Sequence, residues 1–190
     1  MKVGLFFGSF NPIHTGHLII GESTLNHTDI DEIWFVVSPQ NPMKKRKDLL
    51  SEYDRIKLVD IAIEGNDRFR SSNIEFSLPK PSYTIDTLTH LSERHRAKEF
   101  CIIMGEDNLR HIHKWKNYEQ LIENYPIFVY PRGQHDSAIP TYDNVTSFEL
   151  PLLDISSTQI RSLIREQKSI RYVVRDGVRE LLEKEQFYLY

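Results

Sequence analysis

Two histidines, His14 and His17, lie three residues apart in the segment GSFNPIHTGH at positions 8–17. An apolar run at 3–7 precedes this segment and another at 18–20 follows it, which predicts a strand, a tight turn and the start of a helix. The free N–H groups and the dipole at a helix N-terminus attract anions, and the two imidazoles would share one face of the first helical turn. We therefore expect phosphoryl or nucleotidyl transfer here, against the plainer alternative of a hairpin-like turn with two solvated histidines.

A second helix start with phosphate-binding chemistry is predicted at ISSTQIR, positions 155–161. Ser157 and Thr158 place hydroxyl and N–H groups at the positive end of this helix, and Arg161 returns one turn later on the same face. Hydroxyls, backbone amides and a guanidinium can together hold a polyphosphate. The alternative is an ordinary serine N-cap followed by a surface arginine.

The segment Gly105-Glu106-Asp107 directly follows an apolar run at 100–104. A glycine at a strand end permits the close approach of a ligand, and an acid just beyond it can accept hydrogen bonds from ribose hydroxyls. The same tripeptide also fits a turn glycine followed by an acidic helix N-cap. Its functional interpretation therefore depends on the other motifs.

Three further features carry less specific signals. The basic run at 44–47 fits a phosphate-clamping loop, through one or two of its residues, or a solvated, targeting or nucleic-acid patch. The segment PSYT at 81–84 predicts a rigid turn into a helix. Trp115 lies in a polar stretch, where it fits either partly buried packing or stacking on a flat heteroaromatic ring.

The elements that must position these residues alternate along the chain. Strands are predicted at 3–7, 33–37, 69–76, 100–104, 127–130 and 145–150, and helices between and after them at 51–63, 84–95, 118–123, 156–167 and 176–186. Such alternation indicates an α/β protein with a Rossmann-like, doubly wound parallel sheet and a C-terminal helical extension. We expect a single domain over 1–190 with a helical C-terminal part at 155–190, a long surface loop at 132–144, and ligands at the carboxyl ends of the strands.

The composition narrows the class of protein. A length of 190 residues suits one domain, and a net charge of −3 provides no overall basic field for nucleic acid, so we expect no nucleic-acid partner. The single cysteine, Cys101, excludes a disulfide within the chain and fits a cytoplasmic protein, in which it would be a small buried strand residue. We expect no membrane partner, because no apolar stretch approaches spanning length, and no signal peptide, because the polar turn arrives by residue 8. The sequence leaves the oligomeric state open, a homo-oligomer included.

Taken together, these motifs resemble the bacterial nicotinate-mononucleotide adenylyltransferases, a family of the nucleotidyltransferase superfamily that shares the H-x-G-H motif. The resemblance runs from Lys2 to Tyr190. The histidine segment and SSTQIR are shared with the superfamily, whereas PSYT together with Lys114-Trp115 is specific to the nicotinate enzymes.

By position, the resemblance implies that ATP is bound by Gly8, Ser9, Phe10, His14, His17, Gly105, Asp107, Ser157, Thr158 and Arg161. Of these, His14, His17 and Arg161 would be catalytic. The nicotinate mononucleotide would be bound by Lys44, Thr84, Trp115 and Lys116. Two positions depart from the family pattern: Met43 stands where a loop histidine is common, and Lys116 stands where a tyrosine is frequent.

The implied reaction converts ATP and nicotinate mononucleotide into deamido-NAD and pyrophosphate. The attacking phosphate oxygen is already anionic near neutral pH, so no general base is needed, and Mg²⁺ would arrive carried with ATP rather than in a metal site of the protein. The alternatives are a pantetheine-phosphate adenylyltransferase, a nicotinamide-mononucleotide adenylyltransferase and a nucleotide-binding module without catalysis. Pantetheine-phosphate enzymes usually lack PSYT and carry threonine where His14 stands.

Overall fold

The computed structural model describes residues 1–39, 48–131, 140–151 and 153–189. Its six parallel strands are β1 (Lys2–Gly8), β2 (Glu32–Val37), β3 (Phe69–Ser72), β4 (Glu99–Gly105), β5 (Ile127–Tyr130) and β6 (Val145–Ser147). They form one sheet in the order β3-β2-β1-β4-β5-β6. The predicted parallel, doubly wound α/β architecture is confirmed.

The central strand β1 fixes where a ligand can enter. It pairs with β2 up to Gly8 opposite Val37, and on its other side with β4 at Phe6 opposite Ile103. The strand order reverses between β1 and β4, and such a reversal leaves a crevice at the carboxyl ends of the two strands.

The helices are α1 (Thr15–His27), α2 (Glu52–Ile63), α3 (Thr84–Arg94), α4 (Glu106–Arg110), α5 (Tyr118–Asn124), α6 (Ser157–Arg165) and α7 (Asp176–Lys184). Two of them begin at serine caps: Ser51 accepts a hydrogen bond from the Asp54 N–H at 3.1 Å, and Ser156 accepts one from Gln159 at 3.2 Å. Gly65, at a φ of +84°, lies just beyond the end of α2, in a conformation that favours glycine.

Side chains of the strands alternate between the two faces of the sheet and pack into two hydrophobic clusters, one on each face. Phe6 belongs to a cluster that includes residues of α2, α6 and α7, among them Leu58, Ile160 and Val178. Leu5 belongs to the other cluster, which receives residues of α3, α4 and α5. Because apolar residues of α6 and α7 share a core with the sheet, the C-terminal helices are held in place next to the carboxyl end of β1.

Most predicted elements are present, with two differences at strand ends. The strand predicted at 69–76 ends at Ser72, and Ile74–Ser77 form a 3-10 helix whose Phe76 N–H donates to the Asn73 carbonyl at 2.9 Å. The last strand stops at Ser147. The predicted loop at 132–144 falls largely outside the described residues, whereas Cys101 is buried in β4 as expected.

Helices long and apolar enough to cross a membrane are absent from the part of the chain that the structure describes.

Candidate active site

The turn between β1 and α1 is packed around the ring of Phe10. This residue has a φ of +42°, in the left-handed region, and its ring is buried against Phe6 and Phe35. A Cβ atom on Gly8 would lie 2.8 Å from Cζ of Phe10, so glycine is required where the ring passes beneath the strand end. Since the Phe10 ring faces the core, this residue can meet a ligand only through its backbone.

The two histidines stack on each other at the start of α1. Their ring centroids are 3.7 Å apart at an interplanar angle of 26°. The backbone N–H of His14 donates to Nδ1 of His17 at 3.2 Å, so a neutral His17 carries its proton on Nε2. Phe6 and Phe10 contact the His17 ring edge-on at 5.9 and 5.0 Å between centroids, and hold its orientation. The orientation of the His17 ring is thus set by the His14 backbone and by two aromatic side chains.

The start of α6 is joined directly to the β1–α1 turn. The Ser157 hydroxyl donates to the Pro12 carbonyl at 2.9 Å, and the Arg161 guanidinium donates to the Asn11 carbonyl at 2.7 Å. Arg161 also lies 3.3 Å from the Thr158 hydroxyl. Only 4% of Arg161 is exposed, so the alternative of a surface arginine at this position is wrong.

Both segments border one cleft of about 670 Å³ at the carboxyl ends of β1, β4 and β5. The predicted site residues in its wall are Gly8, Ser9, Phe10, His14, His17, Trp115, Ser157 and Thr158. Met104, Asn108 and Tyr130 complete the side formed by β4 and β5. The histidine pair and the start of α6 therefore border the same cleft. The half-buried Trp115 borders it as well.

The end of β4 places its predicted nucleotide-binding residues beside this cleft. Gly105 is the N-cap of α4, and Asp107 is the second residue of that helix, so the alternative of Asp107 as the N-cap is wrong. A Cβ atom on Gly105 would lie 2.5 Å from Oδ1 of Asp107 and 3.2 Å from the Tyr130 ring. A side chain at this position would therefore displace the Asp107 carboxylate or the Tyr130 ring.

Two of the residues predicted to hold the mononucleotide, Thr84 and Lys116, meet at the start of α3. Thr84 is the first residue of that helix and Tyr83 its N-cap. Lys116, which follows Trp115, places its Nζ 2.8 and 3.0 Å from the Asp86 carboxylate oxygens and 4.9 Å from the Tyr83 ring centroid. The structure therefore brings Lys116 to the first turn of α3. Lys44 lies outside the described residues.

Asn11, within the histidine segment, forms three buried side-chain hydrogen bonds that could not be predicted from the sequence. Its Oδ1 accepts hydrogen bonds from the Tyr188 hydroxyl at 2.6 Å and from the Leu50 N–H at 3.1 Å, and its Nδ2 donates to the Asp48 carbonyl at 2.9 Å. The side chain is fully buried. The turn is thereby fixed to the segment before α2 and to the C-terminal segment.

Arg55 of α2 also binds the β1–α1 turn, through the Ser9 carbonyl. Its fully buried guanidinium donates to the carbonyls of Ser9 at 2.7 Å, Ser38 at 2.8 Å, Pro39 at 2.9 Å and Leu50 at 3.0 Å. Burial lowers the pKa of Arg55 from its ordinary value. These bonds connect the ends of β1 and β2 to the segment that precedes α2.

Comparisons with known proteins agree with this geometry. A family model described as cytidylyltransferase-like matches residues 5–163. The probable nicotinate-nucleotide adenylyltransferase of Cytophaga hutchinsonii is 53% identical over 189 residues, which are 99% of this chain and 98% of that protein. The protein of the same name from Christiangramia forsetii is 47% identical over 190 residues, 98% of both chains.

A solved structure shows the same fold over nearly the whole length. It is Plasmodium falciparum nicotinic acid mononucleotide adenylyltransferase complexed with NaAD, with a TM-score of 0.80 at 21% identity over 98% of this chain and 97% of that chain. The family model includes both helix starts that border the cleft, and the curated relatives align over the full length. The chain therefore belongs to the cytidylyltransferase-like family and, within it, to the nicotinate-nucleotide adenylyltransferases.

Proposed function

We propose that this protein transfers the adenylyl group of ATP to nicotinate mononucleotide in the described cleft, forming deamido-NAD and pyrophosphate. One observation carries the proposal: the stacked histidines and the start of α6 border one cleft and are joined by the 2.9 Å bond from Ser157 to Pro12. Two helix N-termini with histidine and hydroxyl donors suit a bound polyphosphate. The names of the curated relatives support the choice of substrates.

The proposed chemistry is an in-line displacement at the α-phosphorus of ATP. A phosphate oxygen of the mononucleotide forms the new P–O bond while the bond to the leaving pyrophosphate breaks. No proton must be removed from the nucleophile, so catalysis consists of positioning the two phosphates and stabilising negative charge. His14 and His17 would act at the α-phosphate, and Ser157 and Thr158 would hold the triphosphate through hydroxyl and N–H groups.

Arg161 would act from behind the wall of the cleft. Its guanidinium already binds the Asn11 carbonyl and lies beside the Thr158 hydroxyl. A positive charge buried at this junction is only weakly screened by water, so it would stabilise anions bound to both helix starts. We propose that Gly105 and Asp107 hold the nucleotide at the end of β4.

The mononucleotide would bind between Trp115 and the start of α3. Trp115 would stack on the pyridine ring, while Thr84 and nearby backbone N–H groups would donate to the nicotinate carboxylate. Lys116 is already paired with Asp86, and about half of each side chain is exposed, so we assign Lys116 a smaller share of carboxylate recognition than Thr84.

We propose that Mg²⁺ enters as the ATP complex. This ion prefers phosphate oxygens and water and retains several waters when bound, which supports delivery with the triphosphate. Among the residues that the structure describes, groups of three or more histidine, cysteine, aspartate or glutamate side chains that could hold a metal ion are absent.

The function is tested by a substrate panel. Purified protein is incubated with Mg²⁺-ATP and either nicotinate mononucleotide, nicotinamide mononucleotide or phosphopantetheine, and released pyrophosphate is measured. We expect the highest kcat/KM with nicotinate mononucleotide. A higher value with either of the other two acceptors would overturn the assigned substrate, and absence of turnover with all three would favour a nucleotide-binding module.

A further inference from the structure

Glu75 is a buried carboxylate outside the cleft. It lies in the 3-10 helix that follows β3, and only 3% of the residue is exposed. Its two carboxylate oxygens accept hydrogen bonds from the Ser82 hydroxyl and from the Thr87 hydroxyl, each at 2.9 Å, and the Ser38 side chain also donates to this carboxylate. A buried carboxylate is costly unless such bonds satisfy it, so its place in the fold calls for an explanation.

The two hydroxyls lie on either side of the start of α3. Ser82 immediately precedes the N-cap, Tyr83, and Thr87 lies one turn inside the helix. The Thr87 hydroxyl is also 3.3 Å from the Tyr83 carbonyl, to which the Thr87 N–H donates at 3.1 Å. Glu75 thus binds one residue that precedes Thr84 and one that follows it. These two bonds fix the backbone at the start of the helix, and with it the direction in which Thr84 points.

The same helix start is linked on its outer side to the segment that carries Trp115. Lys116 binds Asp86 and lies over the Tyr83 ring. That pair is about half exposed and so contributes little to stability, whereas the hydrogen bonds of Glu75 are shielded from water. Of the two links, the buried one is the stronger constraint on the orientation of Tyr83 and Thr84.

We propose that Glu75 is a positioning residue for the mononucleotide, acting through Ser82 and Thr87 on the start of α3. This rests on the proposed function, in which Thr84 meets the nicotinate ring. Glu75 itself is not among the described residues that line the cleft. Because Ser82 and Thr87 both lie at the start of α3, the effect of Glu75 should fall on mononucleotide binding more than on ATP binding.

The experiment measures KM for each substrate in three variants. Glu75→Ala leaves the side chains of Ser82, Thr87 and Ser38 without their acceptor, and we expect KM for nicotinate mononucleotide to rise roughly 5- to 150-fold. Thr87→Val removes one of these bonds with little change in shape, and a rise of about 2- to 10-fold is expected. Glu75→Gln should stay within about threefold of wild type, because its amide can accept from one hydroxyl and donate to the other. In all three, KM for ATP should change less than about twofold.

Thr24→Val is the matched control. Thr24 is as deeply buried as Thr87, but its hydroxyl donates to the Ile20 carbonyl of its own helix at 2.8 Å, on the far side of the sheet from α3. This variant should lose thermal stability without a change in either KM. If Thr87→Val and Thr24→Val raise both KM values equally, the role of Glu75 is structural and the proposal is wrong.

The remaining outcomes separate the two proposals. Wild-type turnover with an unchanged mononucleotide KM in Glu75→Ala, or in Thr87→Val should Glu75→Ala not fold, would overturn the positioning role alone. Wild-type protein that does not use nicotinate mononucleotide would overturn the proposed function, and the positioning role with it.

Discussion

The hydroxyl of Tyr188 donates a 2.6 Å hydrogen bond to Oδ1 of Asn11, 177 residues earlier in the chain. Both side chains are buried, and burial raises the pKa of the Tyr188 phenol, so that it remains a donor. Tyr188, in the segment that follows α7, thereby contacts the turn that leads into the histidine pair. The C-terminal helices close the core and also brace the proposed phosphate-binding turn.

Tyr188→Phe should loosen this brace without disturbing the packing of the ring. We expect unfolding in urea to show a loss of about 0.5–1.5 kcal/mol, the usual contribution of one hydrogen bond, and KM for ATP to rise by about 2- to 10-fold. Tyr172→Phe is the control, because 87% of Tyr172 is exposed and its loss of a hydroxyl should change neither quantity. A loss of stability with an unchanged KM for ATP would show that Tyr188 stabilises the core and does not affect ATP binding.

Arg161 and the nearby Arg165 allow a matched test of charge behind the cleft. Arg161→Ala removes a buried charge and its hydrogen bond to the Asn11 carbonyl, which joins the two helix starts. Such a bond contributes about 1.5–3 kcal/mol, so KM for ATP should rise by up to roughly 150-fold and KM for the mononucleotide much less. Arg165→Ala removes an arginine that forms a partly exposed ion pair with Asp48, and should leave both values nearly unchanged. Equal effects of the two substitutions would contradict the proposed role of Arg161.

His17 is tested by two substitutions that differ in one hydrogen bond. Both His17→Ala and His17→Asn remove the Nε2 donor, but asparagine retains an acceptor near the position of Nδ1, to which the His14 N–H donates. We expect kcat to fall by about 10²- to 10³-fold in both, with thermal stability better preserved in His17→Asn. Near-normal turnover in His17→Asn would assign His17 to helix capping. The exposed His113→Ala is the neutral control.

The pKa of Glu75 gives a prediction about pH and stability. Burial raises its pKa above the ordinary value of 4.5, while hydrogen bonds from Ser82, Thr87 and Ser38 oppose the shift. A carboxyl with a raised folded-state pKa binds its proton more tightly in the folded state. The associated stability is therefore present below pH 4.5 and is lost as the pH rises through the folded-state pKa. Compared with Glu75→Gln, wild-type protein should lose free energy of unfolding as the pH rises above 4.5, and a pH-independent difference would contradict the raised pKa.

Local patterns in the sequence account for the parts that could be predicted. The apolar runs at 33–37, 100–104 and 127–130 indicate strands buried on both faces, and the two helix starts are contiguous motifs whose backbone chemistry is encoded locally. These features are sufficient to predict a parallel sheet with a phosphate site at its carboxyl edge.

The buried polar contacts could not be predicted in the same way, because their partners are distant in the chain. Arg55 lies one turn before Leu58 and Val59, on the buried face of α2, which is a visible signal of an interior arginine but not of its four carbonyl partners. No pattern in the sequence indicates that Asn11 and Tyr188, 177 residues apart, form a hydrogen bond. Glu75 lies in the polar segment 69–76, which was predicted as a strand, whereas Ile74–Ser77 form a 3-10 helix, so no pattern in the sequence indicated its burial.

The donors proposed around Thr84 predict a preference for nicotinate over nicotinamide mononucleotide. A pocket that offers N–H groups and a hydroxyl satisfies both carboxylate oxygens, whereas the amide NH₂ would face another donor. An unpaired buried polar group costs about 1–3 kcal/mol, which predicts a 5- to 150-fold preference in kcat/KM. Lys116→Ala should change this ratio little, because Lys116 is paired with Asp86 in a partly exposed position.

Trp115 should affect both mononucleotides alike, since stacking depends on the pyridine ring and not on its substituent. Trp115→Ala is expected to raise both KM values and to leave their ratio nearly intact, as measured by kcat/KM for each substrate in wild type and variant. Trp34→Ala is the comparison for a tryptophan outside the cleft wall: its indole donates to Glu32 at 3.0 Å and packs on Phe100, so it should lower stability without changing either KM. If Trp115→Ala selectively lowered kcat/KM for nicotinate mononucleotide, Trp115 would contribute to recognition of the carboxylate and not to stacking on the ring.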